Sequence, residues 1–268
     1  MEWFQALILG LVQGLTEFLP VSSSGHLAIG RALLGVQPTE DLVFEVTVHA
    51  ATVLATIVVF RKQIWQLLCG LFKWKYNDET DYILKICVSM IPVLVVGVFF
   101  KDAVESAFSS MLVVGLALLV TAMLLFFSDV FARRSHADKE KESRNGISFW
   151  QALVVGVAQA VAVIPGLSRS GATISTGLLC GVKRERMAQF SFLMVLVPIL
   201  GEMFLDVVGG DFIASSVGVV PLIIGFVAAF VSGFFACKVM IALVKRAQLK
   251  WFALYCALVA LLVLIFLV

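Results

Sequence analysis

The chain has 268 residues, of which 61% are hydrophobic and only 14% charged, with a formal net charge of +2. A soluble domain of this size needs a more polar surface, and a near-neutral balance argues against a nucleic-acid partner. Apolar runs of about 20 residues, the length a bilayer-crossing helix requires, recur along the chain and predict an all-α, polytopic membrane protein.

In chain order, the N-terminus opens Met1-Glu2-Trp3 with no basic segment, and its apolar stretch carries Gln13 and Glu17, unlike a cleavable signal. Residues 3–35 are apolar but broken at Pro20. Each half has about 14 to 17 residues, or about 21 to 25 Å of helix, against about 30 Å of hydrocarbon. A re-entrant hairpin is therefore expected. Spanning helices follow at 42–60, 82–100 and 111–131, then a polar, flexible loop within 132–148. A second broken region, 149–181, is interrupted at Pro165-Gly166, and further spans are expected at 187–206, 217–236 and 251–268. That makes about six spanning helices plus two re-entrant broken-helix hairpins. Cys69, Cys87, Cys180, Cys237 and Cys256 are scattered and odd in number, which suits small embedded hydrophobes better than a disulfide or metal framework.

The two broken regions match at an offset of 146 residues. Gln5-Ala6-Leu7 aligns with Gln151-Ala152-Leu153, Gly10 with Gly156, and Gln13 with Gln159. Ser22-Ser23-Ser24-Gly25 aligns with Ser168-Arg169-Ser170-Gly171, and Gly35 with Gly181. Residues 1–131 and 149–268 thus read as two repeats within one membrane domain. Basic residues cluster in the 61–81 and 132–148 connections, at 183–186 and at 238–250, whereas the 101–110 loop has only Lys101 and the 207–216 loop has none. By the positive-inside rule the basic connections are cytoplasmic, and the first hairpin then enters from outside while its copy enters from inside. An inverted-topology repeat follows, with both breaks facing a shared polar site.

Both breaks run from a proline into a Ser- and Gly-rich helix start, whose free N–H groups and positive dipole end suit phosphate. Gln13 and Glu17 share a helix face, and Arg169 offers a guanidinium fork for oxyanions. Taken singly, the serines read as helix caps, the glycines as packing positions and His26 as an interior histidine. A structural Glu17–Arg169 ion pair is a further alternative. Charges at membrane depth nevertheless point to function. Glu45, His49, Glu202 and Asp206 are the remaining titratable residues in expected spans; Glu45 and Glu202 rank behind the breaks, and Asp206 reads as solvated.

The residues Gln13 to Glu17, Pro20-Val21-Ser22-Ser23-Ser24-Gly25-His26, and Pro165-Gly166-Leu167-Ser168-Arg169-Ser170 through Thr173 occur in that order. In these motifs, and over essentially its whole length, the chain resembles the bacterial undecaprenyl-diphosphate phosphatases associated with bacitracin resistance. The resemblance implies hydrolysis of a C55 isoprenyl diphosphate to the monophosphate for peptidoglycan synthesis. It also implies a divalent cation (Mg²⁺ or Ca²⁺), a multi-pass location in the bacterial inner membrane, and a site open toward the outer leaflet. Where many relatives carry Glu, this chain has Gln13. In this reading Glu17, Ser23, His26 and Arg169 are catalytic, with Glu17 also holding the cation. Gln13, Ser22, Ser168, Ser170 and Thr173 bind the substrate phosphates. Ser23 is the preferred nucleophile with His26 as acid or base; attack by His26 or by a water activated by Glu17 is the alternative. The expected partners are the isoprenoid lipid diphosphate and membrane lipid, with no nucleic acid and a homodimer left open. Rival classes are a transporter or flippase of a phosphorylated lipid, and a non-catalytic lipid-carrier binding protein.

Overall fold

Helices make up every regular element of the computed structural model, which describes residues 1–36, 41–108, 110–135, 143–201, 217–246 and 248–268. Glu202, Asp206 and residues 136–142 of the expected loop lie outside the described residues. The order is α1 (Trp3–Phe18), α2 (Ser23–Leu34), α3 (Asp41–Leu71), α4 (Asp78–Phe99), α5 (Lys101–Phe108) and α6 (Met111–Ser135). A 3₁₀ turn (Arg144–Gly146) then leads to α7 (Phe149–Val161), α8 (Arg169–Leu179), α9 (Arg184–Met194), α10 (Val219–Arg246) and α11 (Lys250–Phe266).

Among the described residues four helices are long and apolar enough to cross a membrane: α3, α4, α6 and α10. α11 is apolar but has 17 residues. The span expected at 187–206 is interrupted: α9 ends at Met194 and helix resumes only after a turn at Val195. Pro198 explains the break, because its ring collides with the carbonyl four residues back and it brings no N–H. Conversely, α3 does not stop at 60 as expected but continues through Arg61 and Lys62 to Leu71. Arg and Lys are good helix formers, and their apolar stems tolerate a boundary position, so the charges alone do not end the helix.

Cross-packing between the two halves of the chain is reciprocal. α1 lies against α10 and α7 lies against α4; α6 pairs with α11, and α3 with α10. Close approach rests on glycine. A Cβ at Gly10 would lie 2.5 Å from the Gly225 carbonyl oxygen, and one at Gly156 would lie 2.3 Å from that of Ser89. Several hydrogen bonds recur 146 residues apart. Gln5 Nε2 donates to the Leu34 carbonyl at 3.0 Å, and Gln151 Nε2 donates to the Cys180 carbonyl at 2.9 Å. The amides of Glu2 and Ser148 donate to the side-chain oxygens of Gln5 and Gln151. Gly35 and Gly181 both take positive φ just past α2 and α8, where a residue with a Cβ would be strained.

The polar segment read as flexible over 133–146 is anchored at its end. Lys85, buried in α4, pairs with Asp81 one turn earlier and donates to the Arg144 carbonyl at 2.7 Å. Arg144 pairs with Asp78, and Asn145 donates to Asp81 at 2.9 Å. A buried ammonium has three protons to satisfy, so it recruits the incoming loop as an acceptor. Outward faces of α4, α6, α10 and α11 expose Leu94, Val98, Phe126, Val220, Leu258 and Ile265. All five tryptophans are exposed, and Trp65, Trp74, Trp150 and Trp251 lie near the basic connections. Apolar surface this extensive, edged by tryptophan and cations, is the pattern of a membrane protein.

Candidate active site

α1 ends where Leu19, forced extended by the following Pro20, takes φ −74° and ψ 146°. The chain turns through Ser22 at φ +73°, a left-handed conformation that costs a serine energy and is held by its own cap: the Gly25 amide donates to Ser22 Oγ at 3.2 Å. In the second break Gly166 supplies the positive φ and Ser168 the cap, with the Gly171 amide donating to its Oγ at 3.0 Å. Thr121 of α6 braces this turn, accepting from the Ser168 amide at 3.0 Å and donating to the Gly166 carbonyl at 3.3 Å.

The two breaks touch. A Cβ on Gly25 would stand 3.1 Å from Gly166 Cα, and Ser170 Oγ donates to the Leu19 carbonyl at 3.1 Å. Their side chains converge on Glu17, which is only 8% exposed. Its carboxylate accepts from Gln13 Nε2 at 2.8 Å, Ser23 Oγ at 2.6 Å and the Arg169 guanidinium at 3.0 Å. Ser23 and Arg169 occupy equivalent places 146 residues apart and meet on the same carboxylate. Ser22 and Ser24 face each other at 3.3 Å, as do Ser168 and Ser170, and a small polar cleft lies among these serines, Glu17 and Arg169. Thr173 lies deeper: its hydroxyl donates to the Arg169 carbonyl at 2.8 Å and contacts Ser191 at 2.6 Å.

His26 is turned elsewhere. Its Nδ1 sits 2.8 Å from the Ser22 carbonyl, which can only accept, so Nδ1 carries the proton. Nε2 then accepts from the Tyr255 hydroxyl at 2.8 Å, and the two rings stack at 5.6 Å with 9° between planes. A second histidine takes the place beside Glu17. His49 Nε2 lies 4.0 Å from Glu17 Oε2, while its Nδ1 donates to the Glu45 carbonyl at 2.8 Å. Glu45 itself pairs with Arg31 at 3.2 Å. His49 was visible in sequence only as a titratable residue in a span. Tyr255 and Thr121 gave no signal, being single polar groups within apolar helices.

Hard oxygen donors suit a divalent cation, and two are at hand. Glu17 supplies a carboxylate, and the buried Gln13 Oε1 has no hydrogen-bond partner. No group of three His, Cys, Asp or Glu side chains gathers among the described residues. A cation here would complete its shell with phosphate oxygens and water.

The family model for bacitracin resistance protein BacA matches residues 6–262. The chain belongs to the BacA family. An undecaprenyl-diphosphatase of Bacteroides fragilis is 55% identical over 263 residues, covering 97% of this chain and 96% of its own. One from Parabacteroides distasonis is 56% identical over 265 residues, with 97% of each chain covered. A more distant undecaprenyl-diphosphatase, from Methanococcus vannielii, is 38% identical over 260 residues, covering 97% of this chain and 98% of its own. Membership in the BacA family agrees with the resemblance carried by the two break motifs.

Proposed function

We propose that this protein hydrolyses undecaprenyl diphosphate to undecaprenyl phosphate and orthophosphate, regenerating the lipid carrier for cell-wall synthesis. The observation that carries the reading is the meeting of Ser23, Glu17 and Arg169 at two facing helix breaks. The full-length relatives named undecaprenyl-diphosphatase supply the substrate.

In the proposed reaction the Ser23 hydroxyl attacks the terminal phosphorus and passes its proton to Glu17, the acceptor it already faces at 2.6 Å. The P–O bond to the bridging oxygen breaks, and undecaprenyl phosphate leaves with that oxygen. Water then attacks the phosphoserine; the P–Oγ bond breaks, Glu17 returns its proton to Ser23 Oγ, and orthophosphate leaves. Arg169 and the amides opening α2 and α8 stabilise the phosphoryl oxygens as charge redistributes. Gln13 and Glu17 would hold the divalent cation, which when bound offsets the diphosphate charge beside Glu17. His26 is held by the Ser22 carbonyl and the Tyr255 hydroxyl rather than by Ser23, so its part is to fix the start of α2, where Ser23 sits, while Glu17 takes the proton. Two re-entrant hairpins, α1–α2 and α7–α8, in an inverted-topology repeat with six spans complete the proposal. The basic connections are cytoplasmic, the location is the inner membrane, and the cleft opens to the outer leaflet.

Orthophosphate release from undecaprenyl diphosphate by purified protein in detergent, with and without EDTA, tests the reading. Release should require a divalent cation. It should fall by about 10²-fold or more in Arg169→Ala and Ser23→Ala, as expected when a charge stabiliser or nucleophile is lost. Full activity in Ser23→Ala would transfer attack to water or His26, and no release by folded wild-type protein would sink the enzyme reading.

A further inference from the structure

Arg169 borders two spaces. One is the serine cleft; the other lies behind it, among α1, α3, α7, α8 and α9, shares Glu17 and Ser170 with the cleft, and is bounded further by Gln159, Thr56, Thr173 and the ring of Phe192. Polar capacity in this rear chamber is unevenly committed. The hydroxyls of Thr52 and Thr56 donate to backbone carbonyls of α3. Thr173 bonds the Arg169 carbonyl and Ser191, and the Glu17 carboxylate already accepts from three donors. What is left is donor-rich. Gln159 is 2% exposed and its Nε2 has no hydrogen-bond partner, an arrangement that costs free energy unless a guest supplies an acceptor. The guanidinium of Arg169 makes one hydrogen bond, to Glu17, and keeps its other N–H groups.

We propose that the rear chamber is a second oxyanion site, in which Gln159 and Arg169 hold a phosphoryl group apart from the serine cleft. A negatively charged guest made only of acceptors answers both groups, whereas a cation answers neither. Val195, Leu196 and Ile199 wall the space, so hydrogen bonds to a guest form in a poorly hydrated setting. The free space is small, suited to one phosphate-sized group and too small for a prenyl chain. Because one guanidinium serves both sides, a phosphoryl group moving between them never leaves the same cation. Two sources share this chemistry: orthophosphate released by the proposed hydrolysis, and the headgroup of a prenyl monophosphate whose tail stays outside.

The test compares wild type with Gln159→Leu, which keeps the bulk and removes the amide, and with Gln159→Glu, which keeps the shape and adds a negative charge. Turnover of the lipid diphosphate is followed by chromatography in the presence of added orthophosphate or, separately, a short-chain prenyl monophosphate. In Gln159→Leu the inhibition constant for one of these anions should rise about ten-fold, the loss of one hydrogen bond to a charged group, with the KM for the diphosphate little changed. In Gln159→Glu that inhibition should vanish. A rise for orthophosphate alone assigns the chamber to the free product; a rise for the monophosphate alone assigns it to a lipid headgroup. Unchanged constants for both anions in either folded variant overturn the proposal. Equilibrium binding of radiolabelled orthophosphate and monophosphate needs no turnover. It therefore separates a failure of this site, seen as no Gln159-dependent binding, from a failure of the phosphatase reading it rests on.

Discussion

His26 and Tyr255 show how one side chain can set the chemistry of another. With the Ser22 carbonyl fixing the proton on Nδ1, the Tyr255 hydroxyl fills the only lone pair on Nε2 and the stacked ring holds the imidazole plane. Tyr255→Phe keeps the stacking and removes the hydrogen bond, so kcat/KM should fall about three- to ten-fold, the scale of one neutral hydrogen bond. His26→Ala should cost more. Equal losses in steady-state kinetics would mean that Tyr255 does more than orient the ring. At this scale the sequence is partly legible. Gln13 and Glu17 sit four residues apart on a helix, so their 2.8 Å bond follows from spacing. That Ser23 and Arg169 meet on Glu17 follows from the matched breaks. His49 does not, since only the packing of α3 beside α1 brings it within 4.0 Å of Glu17.

Helices here meet through small residues and a few buried charges. Gly156 allows α7 to rest on the backbone of α4, and a new side chain would strike the Ser89 carbonyl, which cannot rotate away. Gly156→Val should lower thermal stability in detergent by about 1 to 3 kcal/mol, the range for overpacking. Wild-type melting would show that the α4–α7 contact yields. Next to it, Lys85 and Asp81 are both 2% exposed, and together they tie α4 to the turn at 144–146. Removing one partner strands the other charge. Lys85→Met or Asp81→Leu alone should cost about 3 to 5 kcal/mol, while the double variant should recover most of that loss. Additive losses in thermal melts would show that the pair does not act as a unit. Sequence reading located the helices by hydropathy but misplaced their ends. Charges at Arg61 and Lys62 looked like a boundary and were not, and a proline at 198 inside an apolar run acted as one. Hydropathy measures what a segment is buried in, and has no term for a ring that blocks one carbonyl.

For the whole molecule, the charge distribution makes a claim about sidedness that labelling can check. Trp74 is 90% exposed in the connection after α3, and Ala103 is exposed in α5, on the far side of α4 from it. In a cysteine-free background, Ala103→Cys should react with an impermeant maleimide added to intact cells, and Trp74→Cys only after permeabilisation. The reverse pattern would invert the proposed orientation, and reaction of both from outside would remove the alternation altogether. Position for position, the first half holds Ser23 where the second holds Arg169, and Glu17 where the second holds Val163. Had two identical chains assembled around these breaks, each seam would have carried either two serines or two arginines, never one of each. In the single polypeptide the two breaks carry unlike residues, a serine and a carboxylate on one side and a guanidinium on the other. The asymmetry that the proposed reaction needs, attack from one side and a cation on the other, is therefore open to two unlike breaks and closed to a pair of identical chains.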